Sequence, residues 1–344
     1  MFSKIFLNKQ NLLGNVRTLE NIAGKKLCVM VKAQAYGHGE AEIVKILQEE
    51  VDFFGVSSQA EAISFKEICD KNVIVFGRCE DYKICMEKGI AFALFSLEHA
   101  KSIIKIAKQE NLMPRFHLCV NSGMNRYGEK SKKDFVKLIK LLQKNNLSLE
   151  GIYTHFSSLT SDEEYTKKQK QIFEDFCMEL PKQWNTIRHV GGGQSVFKDI
   201  EADMYRVGME CYGYGNELVM PVMRVESQIV DIQNVAKGEH VGYLCSYTAK
   251  QDMKVATIPL GYGDGLPRKL SNKFSVIIKG KEAKSTGNIC MDAFMVDVTS
   301  INCKVGDKVL IMDNASTFAP IIGTTEYEVL TAFSKFRGER IIEE

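Results

Sequence analysis

Lys32 ends the apolar run Leu27 to Val31 and opens the segment KAQAYGHG, Lys32 to Gly39. Other reactive side chains stand at comparable places. His155 follows the run Leu149 to Thr154, and His189 with the glycine-rich GGGQS, Gly191 to Ser195, comes after the next run. Arg206 lies just before Gly208 in the run after that. A lysine amine can form a Schiff base with a carbonyl cofactor, and glycine-rich turns present backbone N–H groups to a phosphate. A lysine beside such a cradle suits pyridoxal phosphate. Taken singly, each residue has a plainer role: a lysine after a strand is usually a solvated charge, and a buried histidine is often just a satisfied core residue.

The elements that would position these groups are short β-rich runs alternating with stretches of helical period. The strand candidates are Leu27 to Val31, Phe53 to Ser57, Asn72 to Phe76, Ala91 to Phe95, Arg115 to Val120, Leu149 to Thr154, Thr186 to Gly191 and Met204 to Gly208. Between two of them, Phe135, Val136, Leu138, Ile139, Leu141 and Leu142 fall on one helical face. Eight β/α units predict an α/β fold of the (β/α)8 TIM-barrel type, with a doubly wound open sheet as the competing arrangement. In a barrel, reactive groups gather where strands end and βα loops begin, which brings Lys32, His155, His189 and Arg206 to one face. Past Gly215 the texture changes to strand-like runs cut by turns, such as Lys254 to Leu260, Phe274 to Ile278, Phe294 to Val298 and Lys308 to Met312. The expected division is a barrel over residues 10–216 and a mostly β domain over 217–344, to which residues 1–9 could add a strand.

Composition narrows the class. Lys plus Arg number 45 against 43 Asp plus Glu, without a block of one sign, which argues against a nucleic-acid partner. No apolar run approaches the roughly 20 residues of a membrane helix. The 10 cysteines lack Cys-x-x-Cys pairing, and the N-terminal residues do not read as a signal peptide, so free thiols in a cytoplasmic protein are expected. Six histidines without a ligand cluster predict no metal site.

The motifs taken in order resemble the alanine racemase family. KAQAYGHG resembles its cofactor-lysine segment, NSGMNRYG (Asn121 to Gly128) its substrate-arginine segment, and Thr154-His155-Phe156 its ring-facing histidine. RVGMECYG (Arg206 to Gly213), GYGDGLPR (Gly261 to Arg268), GNICMD (Gly287 to Asp292) and Tyr327 within EYEVL follow in family order, across nearly the whole chain. The resemblance implies interconversion of L- and D-alanine with pyridoxal phosphate, supplying D-alanine for peptidoglycan. Racemisation needs a base on each face of the α-carbon. Lys32 is the implied first base and Tyr262, from the partner subunit, the second, with His155 assisting the phenol and Arg206 facing the pyridine nitrogen. That arginine leaves the nitrogen unprotonated, which favours proton return over transamination. Tyr36, Gly208, Met209 and Tyr327 are implied phosphate ligands, with either Ser195 or bare glycine N–H groups in the place of the family's serine. Arg126, Met291 and Asp292 are implied to border the substrate, and a homodimer with composite sites follows.

Some positions depart from the family pattern. Cys119 stands where many members have a carbamylated lysine, Asn121 where Asp is common, Gln34 where Asn is usual, and Gly191-Gly192-Gly193 where an Asn-Ser pair binds phosphate. A bound anion or a rearranged hydrogen bond would then hold Arg126. The competing functions are a racemase of serine, lysine or arginine and a non-enzymatic cofactor-binding protein. A carrier has no need of the GYGDGLPR segment, since it needs no second base.

Overall fold

The structure, a computed structural model, describes residues 2–192, 194–198 and 200–344. Gly193 of the glycine run lies outside the described residues. Strand β1 (Lys4–Asn8) precedes the barrel strands β2 (Lys26–Met30), β3 (Phe53–Val56), β4 (Asn72–Val75), β5 (Ala91–Leu94), β6 (Phe116–Cys119), β7 (Leu149–His155), β8 (Ile187–Gly191) and β9 (Met204–Val207). β2 to β9 form a closed barrel, sealed where Lys26 of β2 pairs with Met204 of β9. Closure excludes the open doubly wound sheet. Counting strands could not decide this, because closure depends on pairing between the first and last strand.

The barrel strands are buried on both sides, which is why they read as continuous apolar runs rather than alternating ones. Alternation still operates within them. Phe54, Val56, Phe92 and Leu94 join the core beneath the helices, while Cys28, Phe53, Ile74, Ala91 and Met204 form a separate cluster. The helices cover the outside with one apolar stripe each. In Lys132–Lys144 the buried residues are Phe135, Leu138, Ile139 and Leu142, and the Ser131 hydroxyl caps the first turn by accepting from the Asp134 N–H. Val136 and Leu141, placed on the same face by the sequence reading, are only half-buried.

Beyond the barrel come β10 (Met223–Gln228), β11 (Asp231–Val235), β12 (His240–Val241), β13 (Tyr247–Thr248), β14 (Met253–Ile258), β15 (Ser275–Ile278), β16 (Lys281–Lys284), β17 (Phe294–Asp297), β18 (Lys308–Met312) and β19 (Glu339–Glu343). One sheet has the order β16-β15-β18-β10-β1-β19, so the first strand of the chain lies between two strands of the C-terminal part. Ile5 and Leu7 are its fully buried residues, a period of two. A three-stranded sheet, β11-β14-β17, stands beside it. The loop after β14 carries GYGDG. Among the described residues no helix is long and apolar enough to cross a membrane.

Candidate active site

The period of two in β6 to β9 decides what faces the barrel axis. Along β7 it aligns Gly151, Tyr153 and His155; along β8, His189 and Gly191; along β9, Met204 and Arg206; along β6, His117 and Cys119. Two of these positions are glycines for steric reasons. A Cβ on Gly151 would come within 2.2 Å of His117 Nδ1, and one on Gly191 within 2.3 Å of Arg206 Nη2. The bare backbone makes room for a polar layer.

Arg206 is buried between two aromatic rings, its guanidinium 4.9 Å from the Phe76 centroid and 4.7 Å from that of Tyr153. Its Nη2 donates to the Thr154 carbonyl at 2.8 Å and faces His155 Nδ1 at 3.5 Å. Its Nη1 donates to His189 Nδ1 at 3.0 Å. Because arginine can only donate, His189 Nδ1 must accept, which leaves the proton on Nε2. That Nε2–H points at His117 Nδ1, 2.9 Å away, so His117 in turn carries its proton on Nε2. Burial pushes the pKa of both histidines down and keeps them neutral. His117 Nε2 lies 3.6 Å from Glu150 Oε1, too long for a hydrogen bond, and Glu150 is held by Arg115 at 2.6 Å. The sequence reading placed His189 after its strand, at the barrel mouth. It lies within β8 and fully buried, one layer below the mouth, because alternation turns it inward two residues before the strand ends.

Above this layer is a cavity of about 300 Å³ bordered by Lys32, Tyr36, Arg126, His155, Arg206, Gly208 and Tyr327. Lys32 enters it from an unusual turn. Ala33, Gln34, Ala35 and Tyr36 all have φ between 50° and 55°, a left-handed helical turn that costs roughly 1–2 kcal/mol per residue. Several anchors hold it. Glu61 accepts from the N–H groups of Ala33 at 2.7 Å, Ser57 at 2.8 Å and Ser58 at 3.0 Å. The Tyr36 ring packs on Tyr212, whose hydroxyl donates to the Met30 carbonyl at 2.8 Å. Gly37 lies so close to the helix Glu326–Ala332 that a Cβ would come within 2.0 Å of the Leu330 carbonyl. Burial lowers the Lys32 pKa, and Arg126 and Arg206 lower it further against the opposing pull of Glu61. The result is a lysine more readily neutral than a solvated one.

His155 is pushed down to about 3, first by burial and then by Arg206, Arg126 and Lys32. With Nδ1 turned to Arg206, its protonated Nε2 is left for the cavity. At the opposite end the Tyr36 hydroxyl lies 2.6 Å from where a Gly208 Cβ would be, and the Tyr36 and Tyr327 rings are 6.0 Å apart. Met209 lines an adjoining cavity of about 330 Å³ that shares His155, Gly192 and Tyr327 with the first. Ser195 borders neither cavity; it is buried and, among the described residues, its hydroxyl has no hydrogen-bond partner.

The departures also have local explanations. Asn121 Oδ1 accepts from the N–H groups of Gly123 at 3.1 Å and Asn125 at 3.0 Å, shaping the loop that carries Arg126 to the exposed rim. Cys119 lines the cavity, and its thiol, pushed up to about 11 by burial, donates to the Tyr127 carbonyl at 3.6 Å. Gln34 sits within the left-handed turn.

Tyr262, Met291 and Asp292 do not border the Lys32 cavity. They form a unit of their own in the second domain. The Tyr262 N–H donates to the Cys290 carbonyl at 3.0 Å and the Gly263 N–H to that of Met291 at 2.9 Å. Arg337 bridges the two loops, donating to Asp264 and to Asp292, each at 2.7 Å. The sequence reading missed Tyr153 and Phe76, Glu61, Glu210 and Arg337. Only Glu61 carried a readable signal, as the fourth residue of the capping box Ser58-Gln59-Ala60-Glu61.

Two family models match the chain: the alanine racemase N-terminal domain over residues 7–216 and the alanine racemase C-terminal domain over residues 222–342. Alanine racemase 1 of Clostridium acetobutylicum is 34% identical, the match covering 89% of this chain and 86% of the relative. Alanine racemase of Methanococcus maripaludis is also 34% identical, over 93% of each. The solved structure of alanine racemase from Clostridium difficile 630 superposes with a TM-score of 0.92 at 30% identity, covering 100% of this chain and 96% of that one. The barrel, the second domain and the motif order thus have one source: the chain belongs to the alanine racemase family.

Proposed function

We propose that this protein interconverts L-alanine and D-alanine, as its relatives are named for doing, with pyridoxal phosphate as cofactor and D-alanine for peptidoglycan as the product used. The observation that carries the reading is the pairing of a half-buried, pKa-lowered lysine with a polar cradle across one cavity. A phosphorylated aldehyde fits that arrangement. Lys32 meets the aldehyde end, while the Tyr36 hydroxyl and the Gly208 amide stand where a phosphate needs donors, in space that a side chain at 208 would fill.

Bound there, the cofactor withdraws electrons and makes the substrate α-proton removable. The protein supplies the rest. Lys32 takes or returns the proton on one face of the α-carbon. Tyr262 of a second copy does so on the other face, the role that the resemblance to the family gives it, since Tyr262 does not border the cavity of its own chain. His155 donates its Nε2–H toward that phenol oxygen and steadies its deprotonated form. Arg206, clamped by Phe76, Tyr153 and His189, presents a fixed positive charge to the cofactor ring. Arg126 orients the substrate from the rim, with Met291 and Asp292 of the second copy closing the opening. This division makes the barrel, residues 10–216, and the second domain, residues 217–344 with 1–9, contribute to different sites of a homodimer. The 10 cysteines, all free thiols, favour a cytoplasmic location.

The test is α-proton exchange and inversion of L-alanine by purified protein with added cofactor, beside Lys32→Ala, Tyr262→Phe and a panel of other L-amino acids. Fast inversion of alanine that both substitutions abolish is the expected result. Inversion of alanine no faster than in Tyr262→Phe would remove the reading.

A further inference from the structure

Glu210 is an acidic residue where the proposed phosphate cradle is built. It is 1% exposed, and its Oε2 accepts from the Gly208 N–H at 3.2 Å. That amide is one of the donors assigned above to the cofactor phosphate. The carboxyl borders the cavity of about 330 Å³ with Gln194, Gly215 and Tyr327. Among the described residues that border this cavity there is no compensating cation. The other titratable groups bordering this cavity are His155, Tyr214, Glu326 and Tyr327, with Tyr36 and Cys211 close by, and none carries a positive charge at neutral pH. Burial alone therefore dominates and pushes the Glu210 pKa up to about 7, against the backbone hydrogen bonds that favour the anion.

We propose that Glu210 is an internal anion that holds the Gly208 amide in the absence of cofactor, and that the phosphate takes its place only as Glu210 binds a proton. The inference rests on the functional reading above, since it concerns the same cradle. A carboxylate and a phosphate dianion cannot share one N–H without strong repulsion. A neutral carboxyl can instead turn its O–H toward a phosphate oxygen. The proton comes from solvent, and the number taken up for each phosphate bound equals the fraction of Glu210 that was ionised, approaching one at pH 8. Cofactor affinity is thereby tied to pH through a residue that touches neither the aldehyde nor the substrate.

The sign follows from the population of the competent form. Affinity scales with the fraction of Glu210 that is protonated, so the cost is about 1.1-fold at pH 6, about twofold at pH 7 and about tenfold at pH 8. Glu210→Gln keeps the shape and removes the charge. The experiment measures pyridoxal phosphate dissociation constants of wild type and Glu210→Gln by equilibrium dialysis at these pH values. The ratio of the two constants cancels the ligand's own ionisation. It is expected to climb from near one at pH 6 to about ten at pH 8. Pyridoxal, which has the aldehyde and no phosphate, is expected to give a ratio that does not change with pH.

A flat ratio for pyridoxal phosphate, or an equal climb for pyridoxal, overturns the inference and leaves the cofactor reading standing. If wild type binds neither ligand through Lys32, the cofactor reading falls and takes the inference with it. Should Glu210→Gln fail to fold, calorimetry of wild type at pH 8 in two buffers of different ionisation enthalpy reads the proton directly. Close to one proton more is expected to be taken up with pyridoxal phosphate than with pyridoxal, and equal uptake overturns the proposal.

Discussion

Arg206 and Tyr262 are held in opposite ways. Arg206 is fixed on every side by its own chain, stacked between Phe76 and Tyr153, bonded to His189 and the Thr154 carbonyl, and given space by Gly191. Tyr262 is half-buried in a loop of the second domain and is positioned through its backbone, beside a Met291 side chain that is 53% exposed. The barrel half of the site is therefore preorganised before any partner arrives. The other half is a tied pair of loops that does not border the Lys32 cavity of its own chain. Preorganised charge is most useful where charge develops in the transition state, whereas a base delivered from a second copy links activity to assembly.

The largest effects should come from breaking either half. On the proposed roles, Lys32→Ala removes both the cofactor attachment and one base and is expected to lower alanine inversion by about a thousandfold or more, read by a coupled assay for D-alanine. Tyr262→Phe is expected to lose about 100- to 10,000-fold while leaving attachment of pyridoxal phosphate intact by absorbance, which separates the two halves. Mixing the two inactive variants then sharpens the comparison. If Tyr262 serves the neighbour's Lys32, heterodimers regain one intact site of two, and random exchange restores about a quarter of wild-type activity. Recovery of nothing after demonstrated subunit exchange would mean that both bases belong to one chain.

Within the barrel half, Gly191→Ala sets a methyl group against the Arg206 guanidinium, at 2.3 Å if nothing moves. It is expected to destabilise the fold by about 1–3 kcal/mol in denaturant titration, because the stacked arginine cannot withdraw without losing its partners. Arg337→Ala should do the least to stability, since that side chain is exposed and its ion pairs are screened by solvent. It loosens the Asp264 and Asp292 loops together, so its effect should fall on alanine turnover rather than on the melting temperature.

Acid should also separate the halves. His38, His155 and His99 have pKa values lowered to about 4, 3 and 4, chiefly by burial, and all three lie in the barrel. The unfolded chain binds their protons below about pH 6.5 while the folded chain refuses them until about pH 4. Stability should therefore be full above about pH 6.5 and fall as the pH drops toward 4. His38, which is fully buried, should contribute up to about 1.4 kcal/mol per pH unit. A His38→Gln variant with the same acid slope in urea titrations would remove this account.

The eight barrel strands and the motif-bearing loops were legible in sequence because a strand buried on both faces leaves a short apolar run, and four of these runs carry or end in residues that could do chemistry. The edges of the second domain were harder to read. β1 carries only two buried apolar residues, and its partners β10 and β19 are remote in sequence. The motif order also fixed the family. Other features had no local signature. Which face His189 would take depended on where β8 ends, and the rings that stack on Arg206 come from separate strands.

Sequence alone thus determined which residue types stand at strand ends, since apolar burial sets the elements and the loops between them carry the reactive groups. Only the tertiary structure decided which of those groups meet. Closure of the barrel brought β2 beside β9, and so Lys32 beside Arg206, while the left-handed turn after Lys32 is held by Glu61, Tyr212 and the Leu330 backbone, from segments far apart in the chain. Such contacts are paid in long-range geometry, and no local pattern of residues encodes them.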